Sequence, residues 1–207
     1  SIRQTGQYPS NESAGEEPII FHQPPNCVLE WSTSIESGIC MANVCEDWVP
    51  ESFWRKAYNL SSGEGYRLTA WEQTDMLMEP FGITLKDLFD ANMIAQYNFH
   101  GHYFSDGKDL DDILHFRCIP ADEYWGGVVD EMRRMAANPM IRAMFPTAEQ
   151  MKEHNIEIGH KEGGTYWALE NNKEDWIKAF FGSREKRDAI KSWDEGYELF
   201  HPSEEVT

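Results

Sequence analysis

A mixed, helix-rich α/β fold is predicted by three observations. Residues 28–64 read as a strand, a helix and a second strand closed by a glycine turn. From Thr69 onward, hydroxyl residues with an acid or amide three positions later, and prolines and glycines further on, mark the starts and stops of successive helices. Between those marks apolar residues recur at helical spacing.

The first segment is the most structured. Val28 to Trp31 is short, apolar and rich in strand formers. Thr33 and Glu36 have capping-box spacing. The helix behind them is expected to bury Ile35, Ile39, Ala42 and Val44, and to end before Trp48-Val49-Pro50. Pro50 opens a further turn through Trp54. Tyr58-Asn59-Leu60 returns as a strand, with Gly63 and Gly65 at the turn. Beyond it, Thr69 with Glu72 and Thr84 with Asp87 begin helices, separated by Pro80 and Gly82. Leu110, Ile113 and Leu114 form a short stripe. Pro120 opens a longer helix with acids in its first turn, where the helix dipole favours them. Asn138-Pro139, Thr147 with Gln150, Lys173 and Ser183 start four more. Trp176, Ile177, Phe180 and Phe181 are expected inside. Gly163-Gly164 predicts a turn into an extended segment at 165–167, and residues 18–22 an edge strand.

The first segment resembles extended short-chain dehydrogenases/reductases, the NAD(P)-dependent epimerase/dehydratase group. That family carries a late segment of the type hydrophobic-H-V-x-D-x-A, then Y-N-hydrophobic-G-x-G-E, then T-hydrophobic-x-E. Here these read Leu29-Glu30-Trp31-Ser32-Thr33-Ser34-Ile35-Glu36-Ser37-Gly38, Tyr58-Asn59-Leu60-Ser61-Ser62-Gly63-Glu64-Gly65 and Leu68-Thr69-Ala70-Trp71-Glu72. Glu36 stands where the family usually has Asp, and Trp31 near its usual His-Val. The opening residues 2–9, from Ile2 to Pro9, are similar to the family's strand end downstream of the catalytic tyrosine. The resemblance covers residues 1–83. It implies that residues 1–82 are late elements of a Rossmann-type sheet. Residues 83–207 would be a mainly helical substrate-binding region.

Two family features are missing. No glycine-rich strand-to-helix fingerprint occurs, the device that seats a dinucleotide pyrophosphate on a helix N-terminus. No tyrosine has a lysine four residues later; Tyr103 comes nearest, with Lys108 five on. The chain also opens at Ser1 rather than at a methionine, which suits a cut or engineered boundary. The resemblance therefore implies the C-terminal, substrate-binding part of an oxidoreductase. NAD or NADP would be held by the missing N-terminal half. No catalytic, cofactor-binding or metal residue, and no bound cofactor, is expected in this chain alone. The partners are that half and a small-molecule substrate, a nucleotide sugar or another hydroxy or keto compound. The alternative is a stand-alone binding or regulatory module derived from the family. Strand edges left bare by the missing half would favour self-association.

Composition narrows the classes. The 207 residues are 41% hydrophobic and 13% aromatic, enough to build a core. Eighteen basic residues against 36 acidic ones leave a net charge of −18, which argues against nucleic acid and anionic membranes as partners. No signal peptide or spanning run is read, and cytoplasmic location is expected. Cys27, Cys40, Cys45 and Cys118 form no C-x-x-C pair and are expected to be buried free thiols. A hydrolase lacks support: there is no G-x-S-x-G elbow, and the adjacent Asp111 and Asp112 diverge on a helix.

Six residues are candidates for substrate contact. Arg3, Gln4 and Gln7 border the pocket, as the resemblance implies, or else are strand-end groups that bond the backbone. His22 either faces a ligand or is a hydrogen-bonded structural histidine. His100 and His102, in Asn98-Phe99-His100-Gly101-His102-Tyr103-Phe104, would share one face of a strand, as a pair of metal ligands for which the sequence places no third, in a substrate-facing role, or in aromatic packing. The many aromatics and methionines of the helical region frame an apolar pocket or cover a small core.

Overall fold

In the computed structural model, the described residues are 2–4, 7–8, 21–97 and 103–198. The chain is mixed α/β with helix predominating. Strands β1 (Ile2–Gln4), β2 (Gln7–Tyr8), β3 (Val28–Glu30) and β4 (Ser32–Thr33) lead into helix α1 (Ser34–Asn43). Strands β5 (Tyr58–Leu60) and β6 (Arg67–Thr69) follow, then α2 (Ala70–Met78), α3 (Leu85–Leu88), α4 (Gly107–Leu114) and α5 (Ala121–Ala137). The chain continues through α6 (Pro139–Met144), α7 (Ala148–Gly159), α8 (Thr165–Glu170), α9 (Glu174–Phe181) and α10 (Arg184–Ala189). No helix among the described residues is long and apolar enough to cross a membrane.

Contacts divide the chain into two compact units. The first is Ser1–Glu12, Val28–Leu68 and Gly101–Asp130; the second is Ser13–Cys27, Thr69–His100 and Glu131–Thr207.

The first unit holds the strands. β1 runs parallel to β5, with Ile2 opposite Tyr58, Arg3 opposite Asn59 and Gln4 opposite Leu60. β2 runs parallel to β4, and β3 pairs with β6. The sequence from β4 through α1 to β5 is thus a strand–helix–strand passage flanked by parallel partners. Its apolar centre is Cys40, Phe53, Leu60, Leu110, Leu114 and Phe116.

Helix α1 departs from expectation in two ways. Thr33 Oγ1 does accept from the Glu36 amide at 3.0 Å. The Glu36 side chain does not return to the Thr33 amide, which instead donates to Ser62 Oγ at 3.0 Å. The buried positions of α1 are Glu36 and Cys40, one turn apart, whereas Ile35 is exposed. The physical reason is polar demand. The turn after α4 presents two amides, from Cys118 and Ile119, and the Glu36 carboxylate rotates inward to take both.

The second unit is helical. Phe21, Phe81, Ile83, Leu85, Leu88, Phe89, Met93, Ile94 and Ile158 form one cluster, and Ala91, Ala95, Phe180, Phe181 and Ile190 another. Full capping boxes open α2 at Thr69–Glu72, α3 at Thr84–Asp87 and α7 at Thr147–Gln150. Residues 165–167, expected to be extended, begin helix α8 instead. Gly163 takes φ +96° to reverse the chain, and a Cβ on Gly164 would lie 2.1 Å from the Gly159 carbonyl oxygen. The glycine pair therefore serves a helix-to-helix turn. Phe21 and His22 lie in a 3-10 turn rather than a strand. Trp176 is partly exposed on α9, while Ile177, Phe180 and Phe181 are buried.

Candidate functional site

A cavity of about 110 Å³ in the first unit brings several charged side chains together. It is built on two buried strand ends. Glu30 closes β3 and is 3% exposed; Ser61 follows β5 and is fully buried. An acid at an inward strand position must find partners, and Glu30 has two. The Ser61 hydroxyl donates to Glu30 Oε1, and Arg67 Nε donates to Glu30 Oε2 at 2.6 Å. Arg67 also reaches the exposed Glu64 at 3.3 Å, and its guanidinium lies 4.1 Å from the centre of the Tyr103 ring.

Arg117 completes the group. Helix α4 ends at His115 in the left-handed conformation, φ 49°. Asp111 Oδ1 then accepts from the amides of Phe116 and Arg117, both at 2.9 Å, and fixes the returning chain. Arg117 Nε donates to the Ser61 carbonyl at 3.0 Å. Its Nη2 donates to Ser61 Oγ at 3.1 Å and to the Gly107 carbonyl at 2.6 Å. Two glycines make room. A Cβ on Gly63, whose φ is +100°, would lie 3.1 Å from Arg117 Nη1. One on Gly107 would lie 3.1 Å from Ser61 Oγ and 3.4 Å from Glu30 Oε1. Arg117, Ser61, Glu30 and Arg67 thus form one continuous polar chain, of which Arg117, Glu30 and Arg67 line the cavity. Ser61 Oγ is engaged on both sides and buried, so this arrangement positions charge rather than presenting a nucleophile.

Beside it, Glu36 Oε1 accepts from the Cys118 and Ile119 amides at 2.7 and 2.8 Å. Tyr66 donates to the Ile119 carbonyl at 3.1 Å. Burial, with Glu36 adding, pushes the Tyr66 phenol well above its ordinary range.

The residues expected from sequence fall elsewhere. Arg3 and Gln4 lie on β1 opposite Asn59 and Leu60, and Gln7 on β2 opposite Ser32. His22 belongs to the second unit. Its Nε2 donates to the Gly163 carbonyl at 2.6 Å, and its ring stacks on Phe180 at 4.7 Å. His100 and His102 lie outside the described residues. Sequence reading passed over Glu30, Ser61, Arg67 and Arg117. The available signal was Glu30 itself, an acid inside a strand otherwise rich in Val and Leu. The second unit has a smaller cavity, about 70 Å³, lined by residues such as Pro25, Leu85, Phe89 and Ile94. No group of three or more metal-ligating side chains occurs among the described residues. All four cysteines are free; Cys27 and Cys40 are buried, but Cys45 and Cys118 are exposed rather than buried as expected.

Set against family models, curated proteins and solved structures, the chain matches none.

Proposed function

We propose that this chain is the substrate-binding portion of an NAD(P)-dependent epimerase/dehydratase-like oxidoreductase, and that its strands are the last elements of a Rossmann-type sheet. The observation that carries the reading is the parallel register of β1 on β5, Ile2 opposite Tyr58 through Gln4 opposite Leu60. Parallel strands are stable when both faces and both edges are covered, and two such strands alone are a poor fold. A pair this short suits the end of a larger parallel sheet. β4 and β5 belong to separate two-stranded pairs, and the helix α1 that joins them is the kind of connection that links parallel strands. Ile35, Met41, Trp48 and Trp54 are also exposed on the same unit, apolar surface that further polypeptide would cover.

On this reading the other half holds NAD or NADP and supplies the hydride chemistry. The present chain has no glycine-rich strand-to-helix turn for a dinucleotide. Its own share is to hold a small-molecule substrate, a nucleotide sugar or another hydroxy or keto compound. Arg3, Gln4 and Gln7 belong to the strand ends that would border it.

The test is the size of the native protein in its source cells, by immunoblot with an antibody raised against this chain. A band near twice the 24.0 kDa of the chain is expected. A single band at the chain's own mass overturns the oxidoreductase reading and leaves a stand-alone binding module.

A further inference from the structure

We propose that the cavity beside Glu30 is a binding site for a phosphate-class oxyanion. The inference stands apart from the oxidoreductase reading, because it uses the side chains that line this cavity and not the parallel strand pairing.

Two guanidinium ends are left with donors to give. Arg117 commits Nε and Nη2 to Ser61 and Gly107, both neutral acceptors, and its Nη1 has no hydrogen bond among the described residues. No carboxylate lies within ion-pair distance of Arg117 among those residues. Arg67 commits Nε to Glu30 and Nη1 to Glu64, leaving its Nη2 in the same condition. Lys108 and Ser105 line the same cavity. Among the described residues, Lys108 pairs with Asp112 on its own helix, and both side chains are more than half exposed.

Charge favours an anion locally in spite of the chain's total. Five charged side chains line the cavity: Glu30 and Glu64 are negative, and Arg67, Lys108 and Arg117 are positive. The lining therefore carries one net positive charge in a chain of net −18. A half-buried guanidinium that meets only neutral acceptors gains most from a charged one. Donors that converge from several elements suit a tetrahedral oxyanion better than a flat carboxylate, which one guanidinium fork satisfies. The volume admits the anionic group of a ligand and not a nucleoside. Gly63 and Gly107 keep the Arg117 guanidinium seated, since a side chain at either would crowd the cluster.

Isothermal titration of the whole chain with inorganic phosphate, at ionic strength held constant with sodium chloride, tests the site. Two variants at exposed side chains spare the fold, checked by circular dichroism. Lys108→Gln is expected to weaken phosphate about fivefold. Glu64→Gln, by freeing Arg67 from a competing carboxylate, is expected to tighten it by about the same factor. General damage to the protein would not produce a gain. Absence of saturable binding up to roughly 10 mM phosphate, or equal affinity in the parent and both variants, overturns the site.

Discussion

The two units solve the same problem with different chemistry. In the second, the interior is aromatic and aliphatic, and Gln96 and Thr165 are its buried polar residues among those described. In the first, a smaller apolar centre shares the interior with Glu30, Ser32, Thr33, Glu36, Ser61 and Ser62. Apolar packing is tolerant of direction, so a helical unit can be assembled from many weak contacts. Buried carboxylates are not tolerant. Each must meet donors at the right angle, and a partner's loss leaves the remainder stranded. The first unit is therefore the more exacting structure, held by fewer and more specific bonds.

Substitutions that test this contrast should differ in how they respond to a conservative replacement. Phe181→Ala, at a fully buried ring of the second unit, should cost about 4 kcal/mol. Glu36→Ala should cost about 3 kcal/mol, because the Cys118 and Ile119 amides lose their acceptor. Glu36→Gln, which keeps a carbonyl oxygen, should cost only about 1 kcal/mol. Urea midpoints give all three. If Glu36→Ala were no worse than Glu36→Gln, the polar account of the first unit would fail.

Alkali should reach both units through buried acids. Burial, with Asp111 adding, pushes the Cys40 thiol from 9.0 up to about 11, and burial raises Cys27 as well. A raised folded value means the neutral thiol is favoured by folding. That stability is complete below pH 9.0 and is lost as pH rises toward 11. Tyr166, pushed from 10.0 up to about 12 by burial and then by Asp90, extends the loss in the second unit above pH 10. Stability measured between pH 8 and pH 11 should fall, and Cys40→Ala should flatten its first part. At pH 8 a thiol reagent should modify Cys45 and Cys118 promptly, and Cys27 and Cys40 only on unfolding.

The smallest effect is expected at Arg55, an exposed residue held at φ 66°. Arg55→Gly should stabilise the first unit by about 0.5 kcal/mol, the strain of a left-handed arginine less the extra entropy of the unfolded glycine. A scanning calorimetry trace in which Tm falls would show that Arg55 makes a compensating contact.

How legible each unit was in the sequence follows the same division. The capping boxes at Thr69, Thr84 and Thr147 were readable because both partners lie within one turn. The same spacing at Thr33 was only half informative. Glu36 bonds residues 82 and 83 positions away, and no local rule reports that demand. Periodicity puts Ile35 inward, but one buried carboxylate outweighs one isoleucine in setting the face of α1. The candidate cavity was invisible for a related reason. Glu30, Ser61, Arg67 and Arg117 come from four separate stretches, and β3, the end of β5, β6 and the turn after α4 bring them together. Gly163 and Gly164 mark a turn before Thr165, yet the left-handed Gly163 and the tight approach at Gly164 decide between an extended and a helical exit, and spacing reveals neither.

The Glu36 bonds also set a timetable for biosynthesis. Ile119 leaves the ribosome 83 residues after Glu36, a wait on the order of 4–16 s at typical translation rates. Throughout that interval the early strands exist without the turn that locks α1 in place, while residues 69–100 of the other unit are being made. The nascent chain therefore offers its β1–β5 edge to passing polypeptide before the first unit can close. Any strand destined to extend that sheet would find its best opportunity during synthesis rather than after it.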